Sequence, residues 1–412
     1  MAAKAKGGGR TGRKIGLALA GGGPQGAIYE IGALRALDEV LEGVDFNDLH
    51  VYVGVSAGAF ISANLANGLT TAQMVRAIVK HEPGEHPFNS EILLTPAMRA
   101  FLRSGSAVPR LLVKALADYV RNPADKSLFD SLTQLGRALP VGVFDNEPIR
   151  RYLAKIYSLK NRTDDFRQLA RHLVLVAVDL DSGQAVRFGE PGRDHVPISR
   201  AVQASTALPG LYAPVEIEGR HYADGVLAKT LHASVALEAG ADLVICVNPI
   251  VPVDTARAVE KGVMKSGQLV GRGLPSVLSQ TFRTMIHSRL VVGLGSYEGR
   301  FGDAEVVLIE PERDDYRMFF NNIFSWSSRR DVCEHAYRST RRNLWERRAE
   351  LGPLFERHGL RLREEILADP ERSLWAHVGL GESPPRRWPS RKPAVTDTLS
   401  QLLDRLEAQI DA

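Results

Sequence analysis

Apolar positions near the start of the chain switch between two spacings. Ile15–Ala20 is a short apolar run that stops at Gly21-Gly22-Gly23-Pro24-Gln25-Gly26. Ala27, Ile31, Leu34, Leu37 and Leu41 then recur every three or four residues, the spacing of one helix face. Glu30, Arg35, Asp38, Glu39 and Glu42 take the other positions. Val51–Val55 predicts a strand, followed by a helix of small residues ending near Gly68, a C-cap candidate. Thr70-Thr71-Ala72-Gln73 has the form of a capping box that opens another helix.

From 81 to 139 polar loops alternate with amphipathic stretches such as EILLTPAMRAFL and VPRLLVKALADYV, which predicts a helical insertion over the core. The core pattern resumes at Val141. It predicts a helix at Ile149–Ile156, a strand at His172–Asp179 and a hairpin through Asp181-Ser182-Gly183. Next come a helix at Ile198–Leu208 closed by Pro209-Gly210 and a strand at Val215–Tyr222. A helix at Ala233–Ala239 before Gly240 and a buried strand at Asp242–Val247 follow. Strands alternating with helices predict an α/β sheet with parallel members. Beyond Pro249 the pattern gives a helix (Pro275–Leu294), a strand (Glu305–Ile309) and a helix from Arg329 to Glu350. Pro384-Pro385 and Pro389 mark a linker before a terminal helix, Thr396–Gln409.

Composition narrows the class. The 412 residues are 44% apolar and 24% charged, ordinary for a globular chain, and the net charge is only +4. Much of the basic excess lies in two tails, at Lys4, Lys6, Arg10, Arg13 and Lys14, and at Arg386, Arg387, Arg391 and Lys392. These read as solvated tails, and no motif supports nucleic-acid binding. The two cysteines, Cys246 and Cys333, cannot form a disulfide scaffold and fit a reducing compartment. Cys246 sits in an apolar run and reads as a small buried hydrophobe. The apolar stretch after the basic N-terminus is too short for a signal peptide. Val51–Val75 lacks charge, yet its Gly, Ser, Asn and Thr divide it into a strand and helices, so no membrane span is expected and a cytoplasmic chain is.

The stretch VYVGVSAGAF matches the G-x-S-x-G elbow, with Gly54 and Gly58 around Ser56. A serine needs a base within hydrogen-bond reach to act as a nucleophile. Gly21-x-Gly23-x-x-Gly26, after a strand and before a helix, also fits a dinucleotide-binding fingerprint. That reading wants an acid at the end of the next strand, and Asp45 precedes the strand instead. The other reading is an oxyanion hole, whose backbone N–H groups face the charge that develops on a former carbonyl oxygen. A Ser–Asp–His triad finds no persuasive histidine: His221 and His232 flank another motif, and His287, His335 and His358 lie on charged helical stretches. The remaining base candidate is Asp224 in HYADGVLAKT, before Gly225, where an ordinary Asx turn would also explain the pair.

Together GGGPQG, GVSAG and YADG, with ASTALPGLYAPVEIEG before the last, resemble the patatin-like phospholipases, with all motifs in order from about Ile15 to Pro249. The resemblance implies a three-layer α/β/α fold with a mostly parallel sheet, and lipid acyl hydrolysis by a Ser–Asp dyad without metal or organic cofactor. Ser56 is then the nucleophile and Asp224 the base, with Gly54, Gly58 and Gly225 shaping the two motifs. Gly21, Gly22, Gly23 and Gly26, chiefly Gly22 and Gly23, build the oxyanion hole. Gln25 stands where the family often has arginine, and Val226 where it often has Gly or Ala. On this basis the chain divides into a basic tail (1–14), a catalytic domain (15–250) carrying the insertion at 81–139 as groove wall or lid, a helical extension (251–380), and a linker with terminal helix (381–412). An acyltransferase running through the same acyl-enzyme, and a non-catalytic lipid- or nucleotide-binding module, are the alternatives. The expected partner is a lipid substrate with peripheral membrane contact, and oligomeric state is left open. The aromatic stretch Tyr316–Trp326 reads as core, with a membrane or partner contact as the alternative. Because a carboxylate of ordinary pKa is a weak base, Asp224 is expected to be partly buried, with its pKa raised.

Overall fold

Eight strands build the central sheet: β1 (Ile15–Leu19), β2 (Val51–Val55), β3 (His172–Asp179), β4 (Ala185–Phe188), β5 (Val215–Ile217), β6 (Arg220–Asp224), β7 (Leu243–Val247) and β8 (Glu305–Ile309). The computed structural model describes residues 14–80, 141–260, 265–271, 273–297, 299–302, 304–313 and 326–378, with the single positions 93, 95, 97, 262 and 315. Apart from single positions, the expected basic tail, the insertion at 81–139, the aromatic stretch Tyr316–Trp326 and the region from 379 onward with its terminal helix lie outside the described residues.

The hydrogen-bonded order is β8-β7-β1-β2-β3-β6-β5, with β4 also on β3. β8, β7, β1, β2 and β3 run parallel to their neighbours, whereas β4 and β6 join β3 antiparallel and β5 joins β6 antiparallel. The parallel strands are covered on both faces, as such strands require. Side chains alternate across the sheet. Leu17, Leu19, Tyr52 and Leu175 enter the core beneath α1 (Gly23–Val40) and α2 (Ala57–Ala66). Ala18, Val53, Val55, Val176 and Cys246 enter the opposite core. The first core also takes in α3 (Glu147–Tyr157) and α4 (Ile198–Ser205). The opposite core is closed by α5 (Ala233–Glu238) and one side of α6 (Leu274–Gly295). The result is the three-layer α/β/α arrangement.

Chain beyond position 250 builds on the same core. β8 extends the sheet beside β7, and α7 (Trp326–Glu346) packs along α1. The approach is so close at Gly32 that a Cβ there would lie 2.3 Å from the Cys333 carbonyl oxygen. The contact covers charged positions of α1. Glu30 and Glu39 are buried, and Glu39 accepts from Arg35 at 2.6 Å, from Tyr337 of α7 at 2.6 Å and from Arg372 at 2.8 Å. Spacing along one helix gave no sign that a second helix, some 300 residues away, would cover its charged side. The expected helix Arg329–Glu350 is likewise divided at Arg347, between α7 and α8 (Arg348–Arg357).

Two further departures bear on the site. The expected strand Val215–Tyr222 is a hairpin, β5 and β6, reversed by Glu218-Gly219 at φ 53° and 76°. Two consecutive positive φ angles are what a tight two-residue hairpin turn needs. The helix expected to reach Leu208 ends at Ser205, and the Ala207 carbonyl beyond it accepts from the Asp224 amide instead of continuing the helix.

Candidate active site

β2 and β6 arrive at the same edge of β3. Val51–Val55 lie opposite His172–Val176, and Asp224, Ala223 and Tyr222 lie opposite Ala177, Val178 and Asp179. β4 holds the other edge along Leu175–Val178, so the two strands must meet end to end. One runs parallel to β3 and the other antiparallel, and their C-terminal ends therefore point at each other. Ser56 follows Val55, and Asp224 is the last residue of β6. Register alone brings the two residues together across 168 positions of sequence.

The side chains complete the approach: Ser56 Oγ donates to Asp224 Oδ2 at 2.7 Å. Both residues are buried, at 6% and 2% exposure. Burial pushes the Asp224 carboxyl up to about 7, against the lowering effect of its hydrogen bonds from Ser56 and the Val226 amide. The Val226 N–H reaches Oδ1 at 3.0 Å, leaving Oδ2 for the serine. The Asp224 amide donates to the Ala207 carbonyl at 3.0 Å, which is where the unwound end of α4 goes.

Ser56 itself has φ 53° and ψ −116°, an unfavourable backbone for a residue with a Cβ and the strained turn expected of a nucleophile elbow. Close packing holds it. A Cβ on Gly58 would lie 2.4 Å from the Leu19 carbonyl oxygen, and one on Gly54 would lie 2.5 Å from the Gly58 carbonyl oxygen. The Gly58 amide also donates to Ala20 O at 3.1 Å, tying the first turn of α2 to the end of β1. A Cβ on Gly225 would lie 2.3 Å from Val176 O, so the chain leaving Asp224 is pressed onto β3 in the same way.

The glycine loop lies against the serine: a Cβ on Gly21 would be 3.2 Å from Ser56 Cβ. Its amides divide into two groups. Gly21 N–H donates to Thr230 O at 3.1 Å and Gly26 N–H to Gly22 O at 3.0 Å, so these two shape the loop. Gly22 and Gly23, at the start of α1, have no backbone acceptor among the described residues; neither has Ala57, the first residue of α2. Helix starts leave such N–H groups over and favour negative charge beside them.

Sequence reasoning missed two supports. Ser205 Oγ accepts the Ser56 N–H at 2.8 Å and donates to Val176 O at 2.6 Å, so one hydroxyl ties the strained elbow to β3. Ala57, directly after the serine, supplies an amide that the glycine motif did not advertise. The motif ASTALPG contains Ser205, but only the fold shows what that hydroxyl touches.

Among the described residues no histidine bonds to Ser56 or Asp224. His50, His195, His287, His335 and His358 bond to Ala239 O, Glu218, Arg313, Asp315 and Glu305 respectively. Burial, with Lys229 and Arg187 adding to it, pushes His232 down to about 3, which keeps it neutral at physiological pH. No cluster of three or more His, Cys, Asp or Glu among the described residues could hold a metal ion. None of the described helices is long and apolar enough to cross a membrane.

Comparison with known proteins adds a family. A family model described as patatin-like phospholipase matches residues 17–237. Proteins described as NTE family members from Mycobacterium bovis and Mycobacterium tuberculosis are 37% identical over 81 residues. That match spans 20% of this chain and only 21% of theirs. Among solved structures, VipD from Legionella pneumophila aligns at a TM-score of 0.36 and 15% identity, covering 81% of this chain and 66% of its own. ExoU of Pseudomonas aeruginosa, in complex with SpcU, aligns at a TM-score of 0.25 and 17% identity, covering 48% and 38%.

Proposed function

The chain belongs to the patatin-like phospholipase family, whose model spans more than half of it, and from that premise we propose that it hydrolyses carboxylic esters of acyl lipids through a Ser56–Asp224 dyad. The observation that carries this reading is the 2.7 Å hydrogen bond from Ser56 Oγ to a buried Asp224 carboxyl.

In the proposed cycle ionised Asp224 takes the Ser56 proton as Oγ attacks the ester carbonyl carbon. The carbonyl π electrons move onto oxygen, and the N–H groups of Gly22, Gly23 and Ala57 face the resulting charge. One such preorganised donor is typically worth about 3 kcal/mol in the transition state. Collapse of this intermediate breaks the bond to the leaving alcohol, which takes the proton from Asp224. Water then repeats the sequence on the acyl-enzyme, with Asp224 again as base, and releases the fatty acid. The raised pKa supports this role, since a base that titrates near the working pH transfers protons most effectively. Within this reading residues 15–250 are the catalytic unit, and the region beyond 250 reinforces its sheet and α1.

The test is an acyl-release assay across phospholipids, lysophospholipids, galactolipids and short p-nitrophenyl esters, with Ser56→Ala as the blank. Release from at least one lipid class, abolished in Ser56→Ala, is expected. Release that survives the substitution would remove the proposed nucleophile, and transfer to an added alcohol in place of free acid would assign the acyltransferase reaction instead.

A further inference from the structure

α6 is anchored chiefly on one side. Leu290 and Leu294 enter the core beside β2 and β7, Gln280 bonds to the Val253 backbone at 3.2 and 2.8 Å, and Arg283 donates to Val251 O at 3.2 Å. The opposite side carries Leu274, Leu278, Phe282, Met285 and Val292, which are 47–72% exposed. At 3.6 residues per turn these five positions fall within roughly 80° of the helix circumference, so they form one stripe. Scattered exposed apolar residues need no explanation, but a contiguous stripe on an ordered helix does.

Charge tells what the stripe fits. From 261 to 297 the sequence has five Lys and Arg (Lys261, Lys265, Arg272, Arg283, Arg289) and neither Asp nor Glu. Apolar side chains on one face, in a segment whose charged residues are all basic, fit a helix that lies against an anionic bilayer. A symmetric contact with a second copy of the chain through this face would bring the two exposed Arg289 side chains, which fall within the arc of the stripe, toward each other. The stripe also adjoins the site: Arg289 of α6 donates to the Leu227 carbonyl at 3.4 Å, and half-exposed Leu227 is three residues from Asp224.

We infer that the Leu274–Val292 face of α6 is a docking surface for anionic lipid bilayers, seating the membrane beside the Ser56–Asp224 pair. This rests on the lipid hydrolase reading and specifies where the substrate surface sits.

The experiment separates the two. Ser56→Ala protein, which leaves the lipid intact, is sedimented with phosphatidylcholine vesicles with and without phosphatidylglycerol, at low and high salt. The same protein carrying Phe282→Glu and Met285→Glu is run beside it, and thermal melting confirms that both are folded. The inference expects binding at least about tenfold stronger to anionic vesicles, weakened by salt, and a loss of about tenfold or more in the double variant. Equal binding of parent and double variant, or no binding to anionic vesicles, overturns it. So does a parent dimer that the two substitutions make monomeric, since the face would then join copies of the chain. Hydrolysis of a water-soluble ester by the unsubstituted protein tests the catalytic reading separately, and its failure would leave the vesicle result interpretable.

Discussion

The parallel half of the sheet supplies Ser56 and the antiparallel edge supplies Asp224, and the two regions hold their residues in different ways. On the parallel side the unfavourable feature is in the backbone. Ser56 sits at positive φ, locked by the close contacts of Gly54 and Gly58 with neighbouring main chain. On the antiparallel side the backbone of Asp224 is ordinary, at φ −53° and ψ 131°, and the unfavourable feature is a carboxyl removed from water. One half stores conformational strain at Ser56; the other stores electrostatic strain at Asp224. Both are sustained by packing around β3.

If that division holds, relieving each strain should have a separate signature. The largest effect is expected at the aspartate. Its folded pKa, about 7, lies above the usual carboxylate value of about 3.8, so the folded state binds more protons between those limits. Stability attributable to this group is therefore full below about pH 4 and falls as pH rises through about 7. Asp224→Asn removes the loss and should stabilise the protein at pH 8 relative to pH 4 by up to about 4 kcal/mol. Melting curves of both proteins across that range check it, and parallel curves would refute the desolvated carboxyl.

A smaller effect of opposite sign is expected in the parallel half. Gly58→Ala drives a Cβ into the Leu19 carbonyl and must push α2 off β1. A loss of about 1–3 kcal/mol, the usual scale of overpacking, should appear as a lower denaturant midpoint, with ester turnover reduced because the elbow moves. Unchanged stability would mean that the contact is looser than the geometry says.

Ser205→Ala joins the two halves and should have the smallest effect on folding. It leaves the Ser56 amide and Val176 carbonyl without their shared partner, at about 1–2 kcal/mol. Turnover should fall through a lower kcat while Ser205→Thr, which keeps the hydroxyl, restores much of it. Equal losses in both variants would point to packing instead of the hydrogen bonds.

The same comparison explains what could be read from the chain. In the parallel half, strands alternate with helices at short range, so β1, β2, β3, β7 and β8 and the glycine turns after β1 and β2 were visible as local pattern. The antiparallel edge was not. Val215–Tyr222 alternates like one strand, and only Glu218-Gly219 at positive φ divides it. That reversal brings Asp224 onto the edge of β3 already used by β2, a fact of register that no local window contains. Motif spacing likewise does not say that the amides of Gly21 and Gly26 are already engaged while those of Gly22 and Gly23 have no backbone acceptor among the described residues. Nor does any local window show that α7, from far along the chain, covers Glu30 and Glu39.

The central claim is that the base for Ser56 is Asp224 and that it titrates near neutrality. The rate at which a fluorophosphonate labels Ser56, followed across pH, tests it most directly. The parent should show an acid limb with its midpoint near pH 7, labelling fast above it and slow below. Asp224→Asn should lose the limb and label about 10²–10⁴-fold more slowly at pH 8. His232→Asn should keep the parent profile, because burial pushes His232 down to about 3 and it makes no hydrogen bond to the pair. A limb near pH 7 that persists in Asp224→Asn, or labelling that vanishes in His232→Asn, would contradict the account.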